Sequence, residues 1–382
     1  MITKADRLNI IEEYYFSTKL KEVNSLIKKG KPIINLGIGS PDLQPPQEAL
    51  EALKASLTDQ SANSYQSYNG LEDLRISISK FYNKHYDVDL DFTSEILPLM
   101  GSKEGIMHIS LAFLNVGDSV LIPNPGYPTY AAATNLVQAK PIFYDLKSEN
   151  NWLPNLKELE KINLKKVKLM WINYPHMPTG ANCDINFLEE LISFAKKHQI
   201  LLVNDNPYSF ILNRKPISIF NVKGSKDYCL ELNSLSKTFN MSGWRVGMVC
   251  GNKANITNIL TVKSNMDSGM YYPIQKAAIA VLNSPNSWFD KMNDIYEERR
   301  VLVKKLADSL NCEYDNKSSG MFIWAKINND TKSKEFTNEL LDKYNIFIAP
   351  GDIFGSNGEG YVRFSLCATK ELITKAIKRI NE

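Results

Sequence analysis

The sequence is poor in the residues that hold metals and cross-links. Its 382 residues include four histidines and five cysteines, the latter at positions 183, 229, 250, 312 and 367. The cysteine count is odd and no C-x-x-C spacing occurs. That argues against a disulfide framework or a zinc site, and for reduced thiols in a cytoplasmic protein. No apolar run has the length of a membrane span. The opening stretch "MITKADRLNIIEEYYF" carries acidic residues and no apolar h-region, so no signal peptide is expected. Charge of one sign is scarce too: 45 Lys and Arg against 42 Asp and Glu leave a net +3. That is too little to call for nucleic acid or an anionic membrane. Lysine runs such as "LKKVK" alternate with apolar residues and read as solvated faces. Repeats and low-complexity segments are absent.

What is present is an ordinary globular composition, 43% hydrophobic and 23% charged. The length suits one large domain or two that share a boundary. "SVLIPN", "PIFYDL", "VKLMWINYP", "ILLVNDN" and "YCLELNSL" are near-continuous apolar runs, as expected of strands covered on both faces. "GSKEGIMHISLAFLN" and "DINFLEELISFAKKHQ" between them have helical spacing. The alternation predicts an α/β domain with a mostly parallel sheet covered by helices. After about Pro273 the pattern changes. A long amphipathic stretch over 287–310 is followed by "SGMFIWAKI", "IFIAPG", "GYVRFSLC" and a last helix "KELITKAIKRIN". These predict a smaller α+β domain completed by the N-terminal residues. The expected division is 1–45 and 286–382 for the small domain, its long helix bridging to a large domain at 46–285.

Polar groups gather at the C-terminal ends of the predicted strands, where α/β proteins place their sites. Asp205 ends "ILLVNDN" and Tyr208 follows. Ser234 and Lys237 follow "CLELN" within "ELNSLSKTFNMSGWRVG". Gly101, Ser102 and Lys103 open a helix whose free N–H groups suit an anion. Arg245 lies beyond a turn eased by Gly243. A lysine, a carboxylate, a phenol and an anion cup together fit pyridoxal 5′-phosphate: an aldehyde for the lysine, a ring nitrogen for the carboxylate, a phosphate for the cup. Taken singly, Tyr127 and Tyr208 are as well explained as core tyrosines, and Asp205 and Ser102 as helix caps. The order of the whole set along some 300 residues favours the cofactor.

At this point the chain resembles the class I/II aminotransferases of the aspartate aminotransferase fold (fold type I). The resemblance runs from "NLGIGSPD" to "GYVRFSLC" and is strongest at "SLSKTFNMSGWRVG". "GSKEGIMHISLAFLNVGDSVLIPNPGYPTY" and "NMDSG" are most similar to the branch of LL-diaminopimelate and aspartate aminotransferase-like enzymes. The resemblance implies transamination between an L-amino acid and a 2-oxo acid, with Lys237 as Schiff-base lysine and proton shuttle. It places Asp205 on the pyridine nitrogen, Tyr208 on the ring oxygen and Tyr127 on the ring face. Gly101, Ser102, Lys103, Ser234 and Arg245 would hold the phosphate, with Tyr65 reaching the phosphate of the neighbouring subunit of a homodimer. Arg363 would clamp the substrate α-carboxylate and Gly39 would give it room. One departure stands out: the family's asparagine before "PTG" is Met177, and a thioether cannot donate a hydrogen bond. His176 beside it is expected to point elsewhere. A carbon–sulfur β-lyase of the same fold type, or a non-catalytic cofactor-binding regulator, would carry much the same residues.

Overall fold

Side chains alternate between the two faces of a strand, and here both faces are apolar. That pattern demands a sheet between two layers of helices. The computed structural model, which describes residues 2–382, has this arrangement. In chain order the strands are β1 (Ile34–Asn35), β2 (Ile96–Leu99), β3 (Ser119–Asn124), β4 (Lys140–Asp145), β5 (Val167–Ile172), β6 (Leu201–Asp205) and β7 (Cys229–Ser234). There follow β8 (Gly247–Gly251), β9 (Cys312–Tyr314), β10 (Phe322–Ile327), β11 (Ile346–Phe347), β12 (Ala349–Pro350) and β13 (Tyr361–Ser365). The large sheet runs β2-β8-β7-β6-β5-β3-β4. All its strands are parallel except β8, which is antiparallel to both neighbours.

Leu121, Met170, Leu202 and Cys229 point to one face, under helices Glu72–Tyr86, Ile185–His198 and Tyr272–Leu282. Val120, Leu169, Val203 and Leu230 point to the other, under helices Ser102–Phe113, Pro128–Leu136 and Lys253–Lys263. The predicted strands are present, β5 ending at Ile172 and the following "NYP" turning away. Two strands of this large sheet escape the sequence pattern. β2 is short and contains Pro98, and β8 ("GMVCG") has only three apolar residues between two glycines.

The C-terminal sheet is antiparallel, in the order β12-β13-β10-β9. β1 pairs in parallel with β11, and Ser365 donates its N–H to the Leu36 carbonyl at 2.7 Å. Phe16, Val23, Ile34 and Leu36 from the N-terminal end share one core with Phe347, Val362 and Phe364. The helix Ser287–Ser309 sends the buried Arg299 onto Asp42 through two bonds of 2.7 and 2.9 Å.

Candidate active site

Where the parallel strands end, their last residues leave the apolar layers and face one cavity of about 490 Å³. β6 delivers Asp205, and the turn after it delivers Tyr208. β7 delivers Ser234 and, one helical turn on, Lys237 in the short helix Leu235–Thr238. Ser102 and Lys103 enter at the start of helix Ser102–Phe113, Tyr127 before helix Pro128–Leu136, and Arg245 before β8. Gly39 and Arg363 close the cavity from the N- and C-terminal segments. A second, larger cavity of about 880 Å³ lies alongside and shares Tyr14, Phe16 and Lys103 with it.

The anion cup depends on backbone shape. Gly101 has φ +92°, and a Cβ there would lie 2.1 Å from Arg245 Nη2. A Cβ on Gly247 would lie 2.7 Å from the Ser102 nitrogen. Both glycines let backbone and guanidinium approach the helix start, whose first N–H groups have no intrahelical acceptor. Arg245 itself takes the left-handed conformation (φ 57°), with its Nη1 donating to Ser242 O at 2.8 Å. The turn therefore does not rest on Gly243 as expected. Gly243 has φ outside the positive region and open space around it, and the unusual backbone falls on the arginine. Ser234 Oγ accepts the Ser236 N–H at 3.1 Å, capping the helix that carries Lys237.

Burial sets the charges. Lys237, removed from water, has its ammonium pulled down to about 8, and Nζ donates to the Gly39 carbonyl at 2.5 Å. Asp205 is 5% exposed, and burial pushes its carboxyl up to about 6, against the hydrogen bond from Tyr130 Oη to Oδ2 at 2.9 Å. Its other oxygen, Oδ1, is buried without a partner. Asn173 donates to the Asp205 carbonyl, and its own Oδ1 accepts the Met177 N–H at 2.8 Å. Burial also raises the Tyr208 phenol, so its hydroxyl remains a donor at neutral pH.

Arg363 lies between three aromatic faces, its guanidinium carbon 4.0 Å from the Phe322 ring centre, 4.7 Å from Phe354 and 5.3 Å from Phe16. Nη2 donates to Gly37 O at 2.7 Å, Nη1 meets the Met177 sulfur at 3.3 Å, and Nε has no partner. Burial lowers the guanidinium to about 10. The space at Gly39 is filled by the Phe322 ring, 2.3 Å from where a Cβ would sit. His176 points away, its Nδ1 2.8 Å from Thr179 Oγ1, and burial takes its ring down to about 3, leaving it neutral. Tyr65 does not join this cavity: it is 90% exposed. Sequence reasoning missed Tyr130, Phe16 and Phe322. Tyr130 stands one turn beyond Tyr127 in "GYPTY", a spacing that would have drawn attention to it. Phe16 and Phe322 carry no polar mark.

The model for "Aminotransferase class I and II" matches residues 31–380. The chain belongs to this family. It is 38% identical to LL-diaminopimelate aminotransferase of Aquifex aeolicus, over 100% of this chain and 99% of that one. It is likewise 38% identical to that of Halothermothrix orenii, over 98% and 97%. Among solved structures, substrate-bound BacF from Bacillus subtilis superposes with a TM-score of 0.96 at 32% identity, covering 100% of this chain and 97% of that one. An aminotransferase from Staphylococcus aureus gives 0.90 at 29%, over 99% and 98%. The enzyme is a pyridoxal-phosphate-dependent aminotransferase that moves an amino group between an amino acid and a 2-oxo acid. The residues present fit that cofactor. The partnerless Asp205 Oδ1 could accept the N–H of a protonated pyridine ring, and the missing Cβ at Gly101 lets the Arg245 guanidinium lie against the helix start, a donor set that suits a phosphate. Among the described residues, no helix is long and apolar enough to cross a membrane.

Proposed function

We propose that Lys237 carries the cofactor and moves the substrate proton, with Asp205 on the ring nitrogen and Tyr208 on the ring oxygen. When bound, the cofactor supplies an aldehyde that takes over the amino group and a ring that takes up the electron pair of the Cα–H bond. Lys237 Nζ, with its ammonium drawn down to about 8, gives up its proton near neutral pH, as a general base must. Asp205 stays ionised beside a cationic ring N–H and keeps that proton in place. Tyr127 covers a ring face. Gly101, Ser102 and Lys103 present backbone N–H groups to the phosphate, joined by the Ser234 hydroxyl and the Arg245 guanidinium. Arg363 meets the substrate α-carboxylate with a fork already fixed by its aromatic walls.

The observation that carries this reading is the lone buried Oδ1 of Asp205 in the same cavity as the Lys237 amine. Lys237→Ala should lower turnover by at least about 10³-fold while the fold is kept. Borohydride reduction of the loaded parent should fix the cofactor to the peptide containing Lys237. A label on another lysine would overturn the assignment. The curated relatives are named for LL-diaminopimelate, so a half-reaction screen of amino acids begins with it.

Tyr65 stands out in solvent from the segment before Gly70, and we propose that it completes the phosphate site of a second copy in a homodimer. Sedimentation should give a dimer at assay concentrations. A fully active monomer would end this part of the reading.

A further inference from the structure

An exposed aromatic on a loop is ordinarily mobile, yet the loop that carries Tyr65 is tied down from beneath by a buried cation. Lys263 ends helix Lys253–Lys263 and is 0% exposed. Its ammonium donates to the carbonyl of Tyr68 at 3.1 Å and to Asp267 Oδ1 at 2.9 Å. The same Asp267 oxygen accepts the N–H of Gly269 at 2.8 Å. Gly269 has φ +90°, and a Cβ on it would lie 2.5 Å from the carbonyl oxygen of Gln66. The buried Gln275 accepts the N–H of Leu71 at 2.8 Å and donates to Met270 O at 2.7 Å. Residues 68 and 71 are thus hydrogen-bonded to the 263–275 stretch, and residue 66 packs closely on Gly269. A buried ion pair gives up hydration on both partners and is a poor device for stability alone; its use is to fix one geometry.

Asp267 also lies close to two residues of helix Ser102–Phe113. Asp267, His108 and Glu104 bring one side-chain atom each within 4.8 Å of one another, and His108 Nε2 lies 3.2 Å from Glu104 Oε1. Glu104 Oε2 accepts the N–H of Met100, directly before Gly101, at 2.7 Å. The Lys263 ammonium pairs with the Asp267 carboxylate of this group. Lys263, Asp267, His108 and Glu104 therefore run as one group from the segment that projects Tyr65 to the residue before Gly101.

We infer that Lys263 is a positioning residue for Tyr65, setting the contribution this chain makes to the phosphate site of its partner. This rests on the proposed role of Tyr65 in the second copy. The test is a double-mutant cycle on cofactor affinity, read by titrating the cofactor-free dimer with pyridoxal phosphate and following fluorescence quenching. Tyr65→Phe and Lys263→Met are each expected to weaken binding about 10-fold, and the double variant also about 10-fold, because the second change finds the contact already lost. Gly269→Ala, which pushes on Gln66 and leaves the ion pair intact, should behave as Lys263→Met does and serves if the latter fails to fold. Hydrogen exchange over residues 64–71 should rise in both loop variants. A double variant weakened about 100-fold, or loop variants that bind as the parent does, would overturn the inference while leaving Tyr65 its role. An unweakened Tyr65→Phe would remove that role and the inference together.

Discussion

Asp205 shows how one residue can be costly to the fold and yet suit its proposed role in the site. Its carboxyl is pushed up to about 6 by burial, against an ordinary value of 3.8. A carboxyl whose folded value is raised penalises folding only when ionised. The penalty is absent below the unfolded value, grows as pH rises through about 6, and is complete above it. In the cofactor-free protein, Asp205→Asn should therefore stabilise at pH 8 by at most about 3 kcal/mol and change little near pH 3.5. Denaturant melts at the two pH values check this, and an equal gain at both would sink it. In the loaded enzyme the same variant should lose turnover. The sequence marked this aspartate by its place at a strand end, because strand ends in α/β proteins are readable from apolar runs. It could not mark Phe16, Phe322 and Phe354 around Arg363. Those rings come from three distant segments, and an aromatic among apolar neighbours looks the same whether it fills a core or walls a cation. Nor could it show that the Met177 sulfur lies against Arg363.

At the scale of elements, the site is an outcome of where helices begin. Helix Ser102–Phe113 starts beside Arg245 only because Gly101 has no side chain. Gly101→Ala would force either the positive φ on a residue that resists it or the guanidinium out of the cup. The expected result is a loss of cofactor affinity of about 10–100-fold, equivalent to about 1.4–2.8 kcal/mol, with little change in the far-UV spectrum. Titration of the cofactor-free protein measures it, and unaltered affinity would mean that the cup adjusts. β3, β6 and β7 were legible because each is a short apolar run closed by a polar residue. β8 was not. Its reversed direction is set by pairing with β2 and β7, a tertiary choice that leaves no periodic trace in "GMVCG".

Across the whole molecule, the segment after β1 runs between the two sheets and is held by both parts. Asn240 donates to Gln44 O at 3.1 Å from one side, while Arg299 grips Asp42 and Arg363 bonds Gly37 O from the other. Arg299 is 4% exposed in its side chain and also donates to Leu366 O at 3.0 Å. Arg299→Ala leaves Asp42 and that carbonyl without their donor and should destabilise by about 3 kcal/mol. Chemical denaturation with a matched slope is the measurement, and a loss under about 1 kcal/mol would place the pair among ordinary surface bridges. The packing of the N-terminal residues with the C-terminal unit was expected because those first residues have no sheet of their own. Which residues clamp the crossing segment was not readable, since Asp42 and Arg299 are 257 positions apart.

Because β1 lies against β11 and the Leu36 carbonyl receives its N–H from Ser365, the cavity has an early wall and a late one. A chain emerging from the ribosome makes Gly39 long before Arg363. At about 5–20 residues per second, tens of seconds pass between them. The sheet with Lys237 can assemble during that interval, but the wall that carries Arg363 cannot. A product of synthesis interrupted before residue 363 lacks Arg363, however well its sheet has folded, and its cavity stays open on that side.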